Sequence, residues 1–199
     1  RHTRCSRDWS SDVCSSDLVV AHNKLGLIAF RDPNGTRPLC IGAIQDDKTK
    51  GFMIASESVA FTGSQYKYLR DIRPGECILI NKNQDVFTNI VGKNTIRMPC
   101  LFEYIYFARP DSTIDGISVY KARECMGSLL ADIIKGSFIT KKTDIDVVIP
   151  VPETSRTYAI KLAENLGVPY REAFIKNRYI ARTFIMSDKT NNQIGRAHV

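Results

Sequence analysis

Three stretches of this chain carry side chains whose types and spacing suit chemistry. The first is PVPETSRT at 150–157. It follows a β-branched run at 145–149, interrupted only by Asp146, and precedes a helical stripe, so a buried parallel strand ends where a helix begins. Helix-start amides and the positive end of the helix dipole meet at such a place, and open α/β sheets bind ligands at the carboxyl ends of their strands. Thr154 and Ser155 add hydroxyls suited to phosphate or to phosphate-bound Mg²⁺. An ordinary helix cap without a ligand accounts for the same residues.

The second stretch is KNRYIAR at 176–182, where Lys176, Arg178, Tyr179 and Arg182 put three cations and an aromatic ring directly after an apolar run. Arginine grips phosphate bidentately and lysine supplies a compact charge. A solvated basic loop is the plainer alternative. The third stretch, EYIYFARPD at 103–111, sets Tyr104 and Tyr106 beside Arg109; such density of rings reads as packing between domains or as the lining of a passage. Cys100 stands just before it, with no companions at the spacing a four-ligand metal or iron–sulfur site needs, so a buried free thiol is the simpler reading. Arg31 and Asp32 read as an ion pair bracing a turn, and Glu57 between Ser56 and Ser58 as structural, since nothing nearby would activate a serine.

Composition narrows the classes. At 199 residues, 43% hydrophobic and 25% charged, the chain is long enough for one core or parts of two. Its net charge of +7 favours anionic ligands, yet the cations are scattered, with no basic, aromatic-interleaved strip and no finger spacing, so nucleic acid is not expected as a partner. Six cysteines at 5, 14, 40, 77, 100 and 125 form no CxxC pair and no dense framework, which fits reduced, cytoplasmic thiols. No apolar run is long enough for a bilayer and no signal peptide is readable, so no membrane partner is expected.

Two regions must position these residues. Residues 19–98 read as an antiparallel meander, with strands at 25–30, 39–44, 52–55, 77–80 and 86–90, turn chemistry at 31–35 and 73–76, and a helical turn near 59–61. Residues 112–182 alternate helix and strand instead. Ser118 is placed to cap a helix whose face is Val119, Ala122, Met126, Leu129, Leu130, Ile133 and Ile134, with Gly136 at its end. After the 145–149 strand, Tyr158, Ala159, Leu162, Ala163 and Leu166 form a second helical stripe closed by Gly167, and Phe174 and Ile175 open a further strand, completing a βαβ unit. The fold class expected is therefore α+β followed by α/β, with the boundary near residue 100. Residues 1–18 and 193–199 show neither period, resemble translated adaptor sequence, and read as non-native or disordered flanks.

AFRDPNGTRPL (29–39), ASESVA (55–60), IRPGE (72–76), CLFEYIYFARPDS (100–112), SVYKAR (118–123), DVVIPVPETS (146–155) and KNRYIARTFIM (176–186) occur in one order. Together they resemble the amidophosphoribosyltransferases over nearly all of residues 19–190. The resemblance implies two domains. Residues 19–99 would be the C-terminal part of an N-terminal-nucleophile (class II) glutaminase sandwich, and residues 100–192 the first part of a type I phosphoribosyltransferase domain. It implies transfer of glutamine-derived ammonia to phosphoribosyl pyrophosphate, giving 5-phosphoribosylamine, glutamate and pyrophosphate, the first step of purine synthesis. Thr154 is similar to a position associated with Mg²⁺. Lys176 and Tyr179 would lie on a loop that closes over the sugar phosphate, Tyr106 where the two sites are coupled, and Cys100 at a position that ligates a [4Fe–4S] cluster in some members. Glutamine, phosphoribosyl pyrophosphate and purine nucleotides are the implied ligands, and a homo-oligomer the implied assembly.

The family's N-terminal cysteine and its paired-acid phosphoribosyl loop have no counterpart in the sequence, so an internal fragment without either half-activity is expected. Another class II amidotransferase, or a non-catalytic nucleotide- or phosphate-binding module, are the rival readings.

Overall fold

The structure, a computed structural model, describes residues 17–44, 50–92, 96–137 and 145–176. It divides into two compact units, one running through Val119 and the other from Tyr120 onward.

The first unit is built from antiparallel sheets. Strands β1 (Leu18–His22), β2 (Gly26–Phe30), β3 (Cys40–Ile44), β4 (Phe52–Ala55), β5 (Tyr66–Asp71), β6 (Glu76–Ile80) and β7 (Val86–Ile90) form two of them. One has the order β1-β2-β6-β7 and the other β4-β3-β5. This is not the plain meander expected. The chain leaves the first sheet after β2, builds the second, and returns so that Phe30 pairs with Cys77 and Leu27 with Ile80. The turn at 32–35 is responsible: Gly35 takes φ +60° and donates its N–H to the Asp32 carbonyl, but the chain then runs on to β3 instead of folding back on β2. Alternate side chains of both sheets meet in one core of Ala29, Leu39, Ile41, Ile72, Ile78 and Ile80, flanked by Leu27, Phe52 and Ile54. Burial alternates along β6 alone; β2, β3 and β4 were legible from apolar, β-branched runs between turn residues, and β7, exposed throughout, from the hairpin turn that precedes it.

β1 and β5 were not expected. β1 is exposed throughout, and β5, YKYLRD, interleaves charge with aromatics on a mostly exposed edge, so neither gives an apolar alternation. Leu18 pairs with Phe30 and Asp17 accepts the Asp32 N–H at 3.0 Å, so the last two residues of the stretch read as a flank are held by the first sheet.

The segment 96–118 also packs with the first unit, placing the division between units some twenty residues beyond the change of pattern near residue 100. Polar side chains hold it there. Its short hairpin, β8 (Thr113–Ile114) and β9 (Ile117–Ser118), turns through Asp115 and Gly116.

The second unit comprises α1 (Val119–Ser137) beyond its first residue, α2 (Arg156–Leu166), and two extended segments joined in parallel at Val148 and Tyr170. Val148 donates to the Pro169 carbonyl at 2.9 Å and accepts from Arg171 at 3.0 Å. The βαβ unit is present, but its second strand pairs at Tyr170 and not first at Phe174. The core is Ala131, Val148, Ala159, Ala163 and Leu166, with Ile134, Ile145, Leu162, Val168 and Tyr170 around it.

α2 ends as its sequence requires. Gly167 takes φ +69°, and its N–H and that of Val168 return to the Ala163 carbonyl. α1 differs from expectation. Its buried positions are Val119, Arg123, Gly127 and Ala131, four apart, while Leu129, Leu130 and Ile133 are exposed. The helix is apolar on more than one side, so composition alone misplaced the inner face. Gly127 marks the true contact: a Cβ there would stand 2.7 Å from the Tyr158 carbonyl.

Candidate functional site

In the second unit the loop at 150–155 leaves the carboxyl end of the Val148 segment and enters α2. Ser155 occupies the cap position with helical φ/ψ of −76° and −7°, and its side chain does not cap the helix. Its Oγ instead donates to the Val151 carbonyl at 2.5 Å, closing the loop on itself. The Ser155 proton is thus committed, while Thr154 sits half-buried beside the exposed Glu153. Arg156, the first residue of α2, lies 3.2 Å from Glu172, whose carboxylate also accepts from the Tyr170 hydroxyl at 3.0 Å. This pairing ties the start of α2 to the chain just after the second parallel segment. Loop 150–155 and the stretch leading to exposed Lys176 therefore leave the same edge. Arg178, Tyr179 and Arg182 lie outside the described residues.

That edge is open. A cavity of about 390 Å³ in this unit lies at the far end of α2, lined by Lys135, Ile145, Glu164 and Leu166–Val168 residues. It is remote from the loop.

The aromatic stretch lies in the first unit. Residues Glu103–Phe107 form one wide helical turn, with the Ala108 N–H reaching the Glu103 carbonyl at 2.9 Å. Tyr104 is buried and its hydroxyl donates to the Ile114 carbonyl at 3.3 Å. Tyr106 is exposed, its ring 5.4 Å from that of Phe102. Arg109 is exposed and pairs with Asp111 at 2.9 Å. The three residues grouped by sequence thus divide, one inward and two outward. Arg37 lies over the Phe107 ring at 5.0 Å and 2.6 Å from Glu103 Oε1, an ion pair off the hydrogen-bond line. Burial pushes the Glu103 carboxyl above its ordinary value despite Arg37.

A buried charge network, which the sequence did not announce, holds this stretch to the sheets. Arg31 and Asp32 are not an ion pair. Arg31 uses all five N–H donors, on the carbonyls of Arg37, Ile72 and Gly35 and on both oxygens of Asp115. Asp32 accepts from the amides of Asn34 and Thr36 and from the Thr36 hydroxyl. Glu57 accepts the Arg109 N–H and the Ser112 hydroxyl, and Ser58 accepts the Thr113 N–H, so the Ser-Glu-Ser segment is structural as expected. Asp115 followed by Gly116 was the available signal, since Asp-Gly marks a tight turn able to aim a carboxylate.

Cys100 is a half-buried free thiol whose N–H donates to the Thr36 carbonyl. Among the described residues no three His, Cys, Asp or Glu side chains are grouped to hold a metal ion, so Cys100 has no partners there for an iron–sulfur cluster. No helix among them is long and apolar enough to cross a membrane.

The architecture defines a mixed α/β chain: antiparallel sheets with a shared core, then a parallel strand–loop–helix–strand unit. No protein-family model matches it. Curated relatives do. The chain is 50% identical over 171 residues to amidophosphoribosyltransferase of Escherichia coli K12, covering 85% of this chain and 33% of that protein. It is 53% identical over 168 residues to the Saccharomyces cerevisiae amidophosphoribosyltransferase, covering 82% and 32%. The solved glutamine phosphoribosylpyrophosphate amidotransferase from B. subtilis, complexed with ADP and GMP, superimposes with a TM-score of 0.68 at 40% identity, covering 86% of this chain and 35% of that one. Over the stretch it spans, the chain is a relative of the amidophosphoribosyltransferases, and it spans about a third of their length.

Proposed function

We propose that this chain is part of an enzyme that transfers glutamine-derived ammonia to phosphoribosyl pyrophosphate, releasing glutamate and pyrophosphate and forming 5-phosphoribosylamine. The observation that carries the reading is 50% identity over 171 residues to a protein of that activity's name, running through both units. On this reading the two facing sheets are part of a glutaminase sandwich and the parallel unit begins a phosphoribosyltransferase domain. The whole reaction belongs to a protein of the relatives' length.

Within that reading the 150–155 loop receives the pyrophosphate end of the donor. Helix-start amides of α2 face the anion, and the Ser155–Val151 bond holds the loop in shape. Oxygen donors on Thr154 and Glu153 suit Mg²⁺, which prefers hard oxygen ligands, retains waters, and when bound neutralises phosphate charge. Lys176, with Arg178, Tyr179 and Arg182, supplies cations from the same edge. Closing them over the donor would exclude water from the ammonia acceptor. No step is assigned to an iron–sulfur cluster. Purine nucleotides are the regulatory ligands proposed, in keeping with the ADP and GMP of the B. subtilis structure. A cytoplasmic homo-oligomer is the proposed setting.

The test is a chimera of the B. subtilis enzyme carrying residues 18–176 of this chain in place of its own stretch. Glutamine- and ammonia-dependent phosphoribosylamine formation is expected. A folded chimera that makes no phosphoribosylamine from either nitrogen source overturns the reading.

A further inference from the structure

Residues 96–118 form a strap, pinned to the sheets by side chains that the proposed reaction does not use. Of these, Glu57 has the widest reach. Its Oε2 accepts the Arg109 N–H at 2.9 Å and the Ser112 hydroxyl at 2.6 Å. The next residue, Ser58, takes the Thr113 N–H at 2.8 Å, so three successive anchor points of the strap rest on one short loop after β4. Ser112 is 1% exposed, and its carbonyl accepts the N–H of Val119, the first residue of α1, at 3.0 Å. A continuous path of bonds therefore runs from Glu57 through Ser112 to the start of the helix. Upstream, the bond to the Arg109 amide fixes the exit of the wide turn that presents Tyr106 outward. A carboxylate accepting two short bonds holds its partners more firmly than neutral acceptors do, and here both partners are otherwise without a sheet ladder to hold them. Arg109 and Asp111 do not do this work: both side chains are largely exposed, and an exposed pair contributes little.

We propose that Glu57 is a positioning residue: it sets the strap that carries Tyr106 and Arg109 and opens α1, and thereby the efficiency with which ammonia from glutamine ends in phosphoribosylamine. This rests on the proposed function for its readout, though not for its geometry.

The experiment has two arms. In the full 199-residue chain, amide exchange is followed at Arg109 and Thr113 in the unsubstituted protein and in Glu57→Ala, Glu57→Gln and Ser112→Ala. The Arg109 amide is expected to exchange about tenfold or more faster in Glu57→Ala, with Glu57→Gln intermediate because the amide oxygen still accepts one bond. In the chimera, the same variants are assayed for phosphoribosylamine formed per glutamate released, and for formation from free ammonia. The ratio is expected to fall several-fold in Glu57→Ala and less in Glu57→Gln, with the ammonia-driven rate within about twofold of the parent. A ratio unchanged in Glu57→Ala, or one that falls only in step with the ammonia-driven rate, overturns the proposal. Should Glu57→Ala fail to fold, Ser112→Ala and Glu57→Gln decide by the same criteria. A parent chimera inactive with both nitrogen sources counts against the proposed function instead, and the exchange arm then judges the Glu57 latch alone.

Discussion

The Arg31 guanidinium holds the Asp115 carboxylate end-on, Nη1 to Oδ1 at 2.7 Å and Nη2 to Oδ2 at 3.0 Å, across 84 residues of sequence. Asp115 presents its carboxylate from a turn position at φ +49°, where few side chains other than Asn and Asp sit comfortably. Arg31 is 1% exposed. The pair is the deepest of the clasps between the strap and the sheets, with half-exposed Arg97 adding a weaker contact at 3.3 Å.

Removing Asp115 strands a buried guanidinium. Asp115→Ala is expected to lower the unfolding free energy of the first unit by about 3–5 kcal/mol, as breaking a buried pair from one side does. Asp115→Asn, which tolerates the left-handed turn and keeps an acceptor, should cost less. Urea unfolding of the full chain followed by far-UV circular dichroism measures both. Burial pushes the Asp115 carboxyl up, but the bonds and charges of Arg31 and Arg97 outweigh it and hold the group below its ordinary range. Its folded value is thus below its unfolded one, so its stabilisation is present above the unfolded value and disappears as pH falls through the folded one. Acid unfolding of Asp115→Asn should show a shallower slope below the ordinary carboxylate range than the unsubstituted chain.

Asp17 has the opposite sign. Burial, with the nearby Asp32 charge, outweighs the Asp32 N–H bond and the flanking arginines and raises its pKa from 3.8 to about 6. One of its oxygens, Oδ2, is buried and has no hydrogen-bond partner among the described residues. A raised folded value favours the protonated form, so this contribution is complete below the unfolded value and is lost as pH rises through about 6. Asp17→Asn keeps the acceptor for the Asp32 N–H and removes the charge. It should melt higher than the unsubstituted chain at pH 7.5, with the difference vanishing near pH 4. Equal melting temperatures across that range would show the carboxylate to be solvated.

Glycine substitutions in α1 should split by position. Gly127→Ala puts a methyl 2.7 Å from the Tyr158 carbonyl and 3.2 Å from Lys161 Cβ, so the helices must part. Overpacking of this kind costs about 1–3 kcal/mol, which exceeds the helix-propensity gain of roughly 1 kcal/mol from losing a glycine. Gly136→Ala meets nothing within 4 Å and should keep the gain. Thermal melts of the two variants should therefore move in opposite directions. A rise in both would mean that α1 and α2 are not in close contact at Gly127.

How far the sequence led can be judged from these same residues. Alternating burial made Ile78 and Ile80 of β6 legible as a core strand, an apolar run between turn residues did so for Ala29 of β2, and the glycine closing α2 was legible because only a positive φ ends a helix in that way. β5 was hidden because its pairing with β3 relies on backbone bonds, with a register shift between Ile41 and Gly42, and hardly on buried side chains. The inner face of α1 was hidden because Arg123 and Gly127 line it, two residue types that no apolar stripe includes. At the candidate site, the strand–loop–helix pattern singled out Thr154 and Ser155, and the structure places both on the loop that enters α2. That Ser155 would turn back to Val151 was not legible, since a hydroxyl before a helix has two acceptable partners and the sequence does not choose between them. The long-range pairing of Arg31 with Asp115 was invisible for a simpler reason: nothing local in RDPNG points to residue 115.

Ser155 and Thr154 should separate in function because only one has its hydroxyl committed. Ser155→Ala removes the 2.5 Å bond to the Val151 carbonyl, so its effect is on the shape of the loop. In the chimera this should appear as a lowered rate at saturating donor together with a raised KM, since a slackened loop misplaces the anion before and during reaction. Thr154→Val keeps the size and branching of the side chain and removes only an oxygen, and Thr154 is half-buried with no role in closing the loop. If that oxygen serves Mg²⁺, the concentration of Mg²⁺ giving half-maximal activity should rise several-fold while the rate at saturating metal falls less. Lys176→Ala, which removes an exposed cation from the same edge, should raise the KM for phosphoribosyl pyrophosphate and weaken its dependence on salt, as loss of one phosphate contact does. Steady-state kinetics with Mg²⁺ and donor varied independently distinguishes the three. A Thr154→Val variant whose metal dependence is unchanged would remove Thr154 from the metal site and leave the loop's amides as the anion-binding element.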